Sequence, residues 1–114
     1  MPADTNPNWD MFGGWLMSLM DIAAGTVAMR RARGRAVTAS VDGMTFLLPV
    51  SVGDEVSVYG DLVEVGRSSM KIAIEAWRRR RDEDEASKVT HANFTFVAID
   101  EEGRPRPIDK TTVD

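Results

Sequence analysis

Apolar residues crowd the stretch from Phe12 to Arg31 (FGGWLMSLMDIAAGTVAMRR) at helical rather than alternating spacing. The pattern predicts one helix that is apolar almost all the way round, and such a helix is expected at the centre of a core with strands packed about it. Trp15, Leu16, Met17, Leu19, Met20, Ile22, Val27 and Met29 occupy most of its circumference. Gly14, Ser18, Asp21 and Gly25 recur at i, i+4, i+7 and i+11, so they form one narrow stripe of small and polar side chains. Asp21 is the carboxylate in the middle of that stripe. An ionisable group among apolar neighbours is costly unless it is paired or used.

Upstream, residues 1–11 read as loop, because Pro2, Asp4, Asn6, Pro7, Asn8 and Asp10 are turn formers or caps. Gly13 and Gly14 then open the helix, where a bare backbone permits close approach and unpaired N–H groups attract negative charge. Arg30, Arg31, Arg33 and Gly34 supply a favourable C-terminal end.

After Gly34 the period changes from that of a helix to that of strands. Ala36 to Leu48 is rich in Val, Thr and Phe, with a bulge expected at Gly43. Glu55 to Val65 alternates through Val56, Val58 and Leu62, and Gly60 is expected to mark a kink. Ser68 to Arg79 sets Met70, Ile72, Ile74 and Ala76 against Lys71, Glu75 and Trp77. Lys88 to Asp100 sets Phe94, Phe96 and Ala98 against Thr95 and Val97. Between the last two strands, Arg78 to Arg81 followed by Asp82 to Glu85 reads as a solvated hairpin tip whose charges compensate each other. The expected fold class is α+β, with a strongly curved antiparallel sheet wrapped round one long central helix.

Composition narrows the function. The chain has 114 residues, 43% of them hydrophobic and 28% charged, enough for one core in one domain. A net charge of -4 provides no general attraction to nucleic acid or an anionic membrane. No cysteine is present, which removes disulfides and thiolate chemistry and suits the cytoplasm. The single histidine, His91, falls in a strand and reads as an ordinary sheet position, so no zinc site is expected.

Five segments in order, MPADTNPNWDMFGGWLMSLMDIAAG, VDGMTF, PVSVGDEV, VGRSSMKI and FTFVAIDEEGRPRPI, resemble the YciA-type acyl-CoA thioesterases of the hotdog fold. The likeness runs from the first residue to about Ile108, which implies a single hotdog domain over residues 1–108 and a polar tail over 109–114. It implies hydrolysis of acyl-CoA in a homodimer, commonly assembled into a trimer of dimers. Coenzyme A then belongs to the substrate, and no cofactor is expected. By position, Asp21 falls on the family's catalytic carboxylate, and Gly13 and Gly14 on the helix N-terminus that supplies oxyanion-binding N–H groups. Asn6 and Asp10 fall in the loop flanking the thioester, and Arg67, Ser68 and Ser69 on the segment meeting the CoA phosphates. Two departures stand out: the strand that usually precedes the MPADTN-like motif is expected to be absent from this chain, and Trp9 stands where a Gly is common.

Thioester hydrolysis needs an attacking water or carboxylate and donors where the oxyanion forms. Asp21 suits either a general base or a nucleophile forming a mixed anhydride. Ser18, one turn earlier, suits positioning a water or bonding back to a helix carbonyl. Gly13 and Asp21 are separated by roughly 12 Å along a helix axis, too far for one carbonyl to touch both. A catalytic site therefore calls for an antiparallel pair of helices from two protomers. The competing expectations are a hotdog dehydratase, which lacks its histidine here, and a non-catalytic acyl-CoA-binding module or truncated inactive thioesterase.

Overall fold

In the computed structural model, residues 7–109 are described, with side chains from residue 13 onward. Asn6 and the tail beyond Asp109 lie outside the described residues. The chain forms helix α1 (Pro7–Ala32) followed by strands β1 (Ala36–Phe46), β2 (Glu55–Val65), β3 (Ser69–Arg79) and β4 (Ser87–Ala98). The strands make one antiparallel sheet in the order β1-β4-β3-β2, with β1 and β2 at its edges.

The alternation in β3 and β4 carries the core. Met70, Ile72, Ile74 and Ala76 on β3, with Ala92, Phe94, Phe96 and Ala98 on β4, are buried against α1. Helix α1 answers with Leu16, Met20, Ala24, Ala28 and Ala32, all buried. Their strict four-residue spacing forms one ridge, and three alanines in it let the helix axis sit close to the sheet. Gly60 on β2 serves this approach: a Cβ there would lie 2.8 Å from Ile74 Cδ1 and 3.4 Å from Val27 Cγ2. The kink expected at Gly60 is found instead as a register shift between Leu62 and Glu64. The bulge expected at Gly43 is present, with the register shifting between Asp42 and Thr45 and Gly43 at φ 69°.

Two expectations about α1 are corrected. It starts at Pro7, not Phe12, because proline fits the first helical turn, where its missing N–H is not needed. The helix is also not enclosed. Trp15, Met17, Ile22 and Met29 are exposed, Ile22 to 66%. One four-stranded sheet covers one side of a helix, so the apolar character of the other side has no partner within the single chain. None of the helices among the described residues is long and apolar enough to cross a membrane.

The segment after β4 locks the end of the helix. Arg33 adopts the left-handed conformation at φ 57°, and Gly34 N–H reaches back to the Met29 carbonyl at 3.2 Å. Arg106 donates through Nη2 to the Ala32 carbonyl (2.9 Å) and through Nε to the Ile99 carbonyl (3.1 Å). Ile108 is buried, and its N–H donates to the Arg67 carbonyl at 2.8 Å. A cation on the last helical carbonyls opposes the negative end of the dipole as well as filling their lone pairs. Arg106→Ala is expected to cost about 2 kcal/mol in urea unfolding at fixed protein concentration. The exposed Arg104→Ala should stay within about 0.5 kcal/mol. Equal effects of the two would remove the capping role.

Candidate active site

Asp21 lies half-buried on the flank of α1 that faces edge strand β1. Its carboxylate accepts a hydrogen bond from Thr38 Oγ1–H at 2.7 Å (Oδ1). Thr38 pairs with Phe96 and shares the inward side of the sheet with it, and the β1 register shifts directly after Thr38. That irregularity sets a polar residue at the rim of the core, within reach of the helix. Gly25, one turn beyond Asp21, is buried with the Phe96 ring 3.5 Å from its Cβ position. The stripe read in the sequence therefore runs from solvent at Gly14 and Ser18, through half-buried Asp21, into the core at Gly25.

Thr38 is the residue the sequence reading missed. The signal available for it was parity: two residues after Ala36, it falls on the inward side of a strand where a hydroxyl needs a partner. Ser18 is exposed, and the bond back to a helix carbonyl is made by Thr26, whose Oγ1–H donates to the Ile22 carbonyl at 3.0 Å.

Gly13 and Gly14 occupy the seventh and eighth positions of α1. Only the first four N–H groups of a helix lack intrahelical acceptors, so the expectation that these glycines form its N-terminus is corrected by the earlier start at Pro7. What they offer is bare backbone: a Cβ at either would meet nothing within 4 Å. Asp10 belongs to the first turn, but its side chain, like Asn6, lies outside what is described.

Arg67, Ser68 and Ser69 form the β2–β3 turn and the start of β3, away from the Asp21–Thr38 pair. Ser68 and Arg67 carbonyls accept from Ala98 and Ile108 N–H, both at 2.8 Å, leaving the exposed Arg67 side chain facing solvent. Met70, Phe96 and Thr38 form one row across β3, β4 and β1. The turn is thus about 10 Å from Thr38, two interstrand spacings along that row.

The outer sheet face is polar. Trp77 Nε1–H donates to Glu75 at 2.8 Å, and Lys88 Nζ approaches the same carboxylate at 3.4 Å while lying 5.7 Å from the indole centroid. The indole N–H, with the Lys88 ammonium, holds the Glu75 carboxyl below its ordinary pKa. His91 pairs in register with Glu75 on this face, remote from Asp21.

Comparison with known proteins places this architecture. The sequence profile of the Thioesterase superfamily matches residues 10–85. The Acyl-CoA thioester hydrolase YciA of Escherichia coli K12 is 50% identical over 111 residues, covering 95% of this chain and 84% of that protein. A hexameric thioesterase from Yersinia pestis superposes with TM-score 0.84 at 50% identity, covering 96% of this chain and 89% of that one. A hexameric hotdog fold thioesterase of Campylobacter jejuni superposes with TM-score 0.85 at 36% identity, over 97% and 86% of the two chains. With profile, relatives and layer order in agreement, the chain belongs to the thioesterase superfamily, as a hotdog-fold member of its YciA-type acyl-CoA thioester hydrolases.

Proposed function

We propose that this protein hydrolyses acyl-CoA thioesters to the free acid and coenzyme A, with Asp21 as the catalytic carboxylate. The observation that carries the reading is the Asp21–Thr38 hydrogen bond, which fixes a half-buried carboxylate on the flank of the helix. With Oδ1 fixed by the Thr38 hydroxyl, Oδ2 is left to meet a water or the carbonyl carbon. Thiolate is a good leaving group, so no general acid is required, in keeping with a lone histidine on the far sheet face. The reaction calls on no cofactor, and the coenzyme A moiety is part of the substrate.

The site is completed by a second protomer. Gly13 lies roughly 12 Å from Asp21 along α1, and the free N–H groups of the first turn lie farther still. Oxyanion donors from that first turn, with substrate passing over the bare Gly13–Gly14 backbone, must reach Asp21 from a partner helix running the opposite way. The exposed apolar side of α1, with Trp15, Met17, Ile22 and Met29, supports that pairing, and the hexameric relatives support further assembly as a trimer of dimers. Arg67, with Ser68 and Ser69, is assigned to the CoA phosphates. Acyl-CoA as substrate and a cysteine-free chain support a cytoplasmic location.

Release of free thiol from a panel of acyl-CoAs tests the activity, and Thr38 tests its geometry. Thr38→Ala is expected to lower kcat about tenfold with KM little changed, since one orienting hydrogen bond is lost. Thr38→Ser keeps the donor and should recover most of the rate. An equal loss in both variants would assign Thr38 to packing. Absence of thiol release from every acyl-CoA by the parent would leave an acyl-CoA-binding module.

A further inference from the structure

The turn between β2 and β3 is held in shape from outside. Gly66 N–H donates to the Ser69 carbonyl at 2.8 Å, which leaves Arg67 and Ser68 as the two residues of a hairpin loop. Two-residue hairpin loops match the twist of their strands by placing one or both residues at positive φ. Neither Arg67 nor Ser68 has a positive φ. The flanking strands therefore do not select this loop conformation by themselves. The soft part of such a loop is the peptide joining its two central residues, because turning that peptide over exchanges one turn type for another.

Ile108 fixes that peptide. Its N–H donates to the Arg67 carbonyl at 2.8 Å, while Ala98 N–H donates to the Ser68 carbonyl at the same distance. The Ile108 side chain is buried in the core at 6% exposure, and its neighbours in sequence are tied down on both sides. Before it, Arg106 N–H donates to the Ala98 carbonyl at 2.9 Å, and the Arg106 guanidinium holds the carbonyls of Ile99 and Ala32. After it, the Asp109 carbonyl accepts from Arg31 Nη1–H at 2.9 Å. Residues 106–109 thus bond both to the last turn of α1, the helix that carries Asp21, and to the loop that carries Arg67. In a trans peptide the C=O and N–H point opposite ways, so an inward Arg67 carbonyl turns the Ser68 N–H outward. Among the described residues that N–H has no acceptor, and no carboxylate pairs with the exposed Arg67 side chain beside it.

We propose that Ile108 is a positioning residue for the substrate: its N–H holds the Arg67–Ser68 peptide carbonyl-inward, and so aims the Ser68 N–H, next to the Arg67 guanidinium, at a phosphate of coenzyme A. The proposal rests on the assignment of this turn to the CoA phosphates. It adds the donor atom, a backbone N–H, and the distant residue that orients it.

Acetyl-CoA and acetyl-pantetheine, which lacks the phosphates, are the probes, with the full chain throughout. Ile108→Pro removes the N–H and is expected to raise KM for acetyl-CoA about tenfold, with kcat and the KM for acetyl-pantetheine little changed. Affinity for free coenzyme A, read by calorimetry, should fall by the same factor, a measurement that stands whether or not the chain turns over. Ile108→Ala loses the buried side chain but keeps the N–H, so its KM rise should be clearly smaller than that of Ile108→Pro. Ile108→Val keeps the N–H and most of the packing and should keep the parental KM. If proline prevents folding, the α-hydroxy analogue of isoleucine, ligated in with the C-terminal residues, removes the same N–H and keeps the side chain. Equal KM rises in Ile108→Ala and Ile108→Pro, or equal rises for the two substrates in Ile108→Pro, would overturn the proposal as loss of packing. Arg67→Ala separates it from the reading beneath it. A KM for acetyl-CoA unchanged by Arg67→Ala, or no binding of coenzyme A by the parent, overturns the phosphate assignment and the role of Ile108 together. A rise in Arg67→Ala with none in Ile108→Pro overturns the role of Ile108 alone.

Discussion

Asp21→Ala is expected to lower kcat for acyl-CoA hydrolysis at least about a hundredfold, equivalent to about 2.7 kcal/mol of barrier. The thermal midpoint should move little, because the carboxylate is only half-buried and its hydrogen bond is to the exposed Thr38. Neighbouring side chains pack without it: Leu16, Met20, Ala24 and Ala28 fill the ridge on the sheet, and Asp21 stands beside that ridge. Asp21→Asn separates chemistry from shape, since the amide is nearly isosteric and still accepts from Thr38. Both variants should be inactive if the carboxylate attacks or activates water. Rates within threefold of the parent in both would falsify a catalytic Asp21. A single turnover in heavy-oxygen water then tests for the covalent route: an unlabelled first acid requires a mixed anhydride opened by water at the Asp21 carbonyl, whereas direct attack by water on the thioester labels that acid.

How much of this was legible beforehand depends on whether the information is local. The inward and outward sides of β3 and β4 could be read from alternation alone, and the observed pairing of Met70 with Phe96 and of Ile72 with Phe94 follows that reading. By the same counting, Arg78 falls inward. The start of α1 was missed because a segment of Asn, Pro and Asp is equally suited to a turn and to a first helical turn. An all-round apolar pattern also does not say which side meets its own sheet and which side meets another chain. The pairing of Thr38 with Asp21 was out of reach for a different reason. Seventeen residues separate Thr38 from Asp21, and only the pairing with β4 and the register shift after it bring the two together.

Mixed dimers give the second large effect, and they test the distance argument directly. Gly14→Val puts a branched side chain on bare helix surface, where the added Cβ meets nothing within 4 Å of its own chain. Valine is no worse a helix former than glycine, so the fold should be unaffected. The branch does obstruct close approach of a substrate or partner backbone there, and Gly14→Val homodimers are expected to be nearly as inactive as Asp21→Ala homodimers. Co-expression of the two variants with different tags should restore activity. In a two-fold symmetric dimer built as proposed, one site then collects both lesions and the other collects neither. Random pairing makes about half the dimers mixed, each with one intact site, so the recovered rate should be about a quarter of the parent rate. If Asp21 and the Gly14 surface of the same protomer served one site, every site in the mixture would carry a lesion. Co-expression would then restore nothing, and the two-protomer site would be ruled out with Asp21 still catalytic.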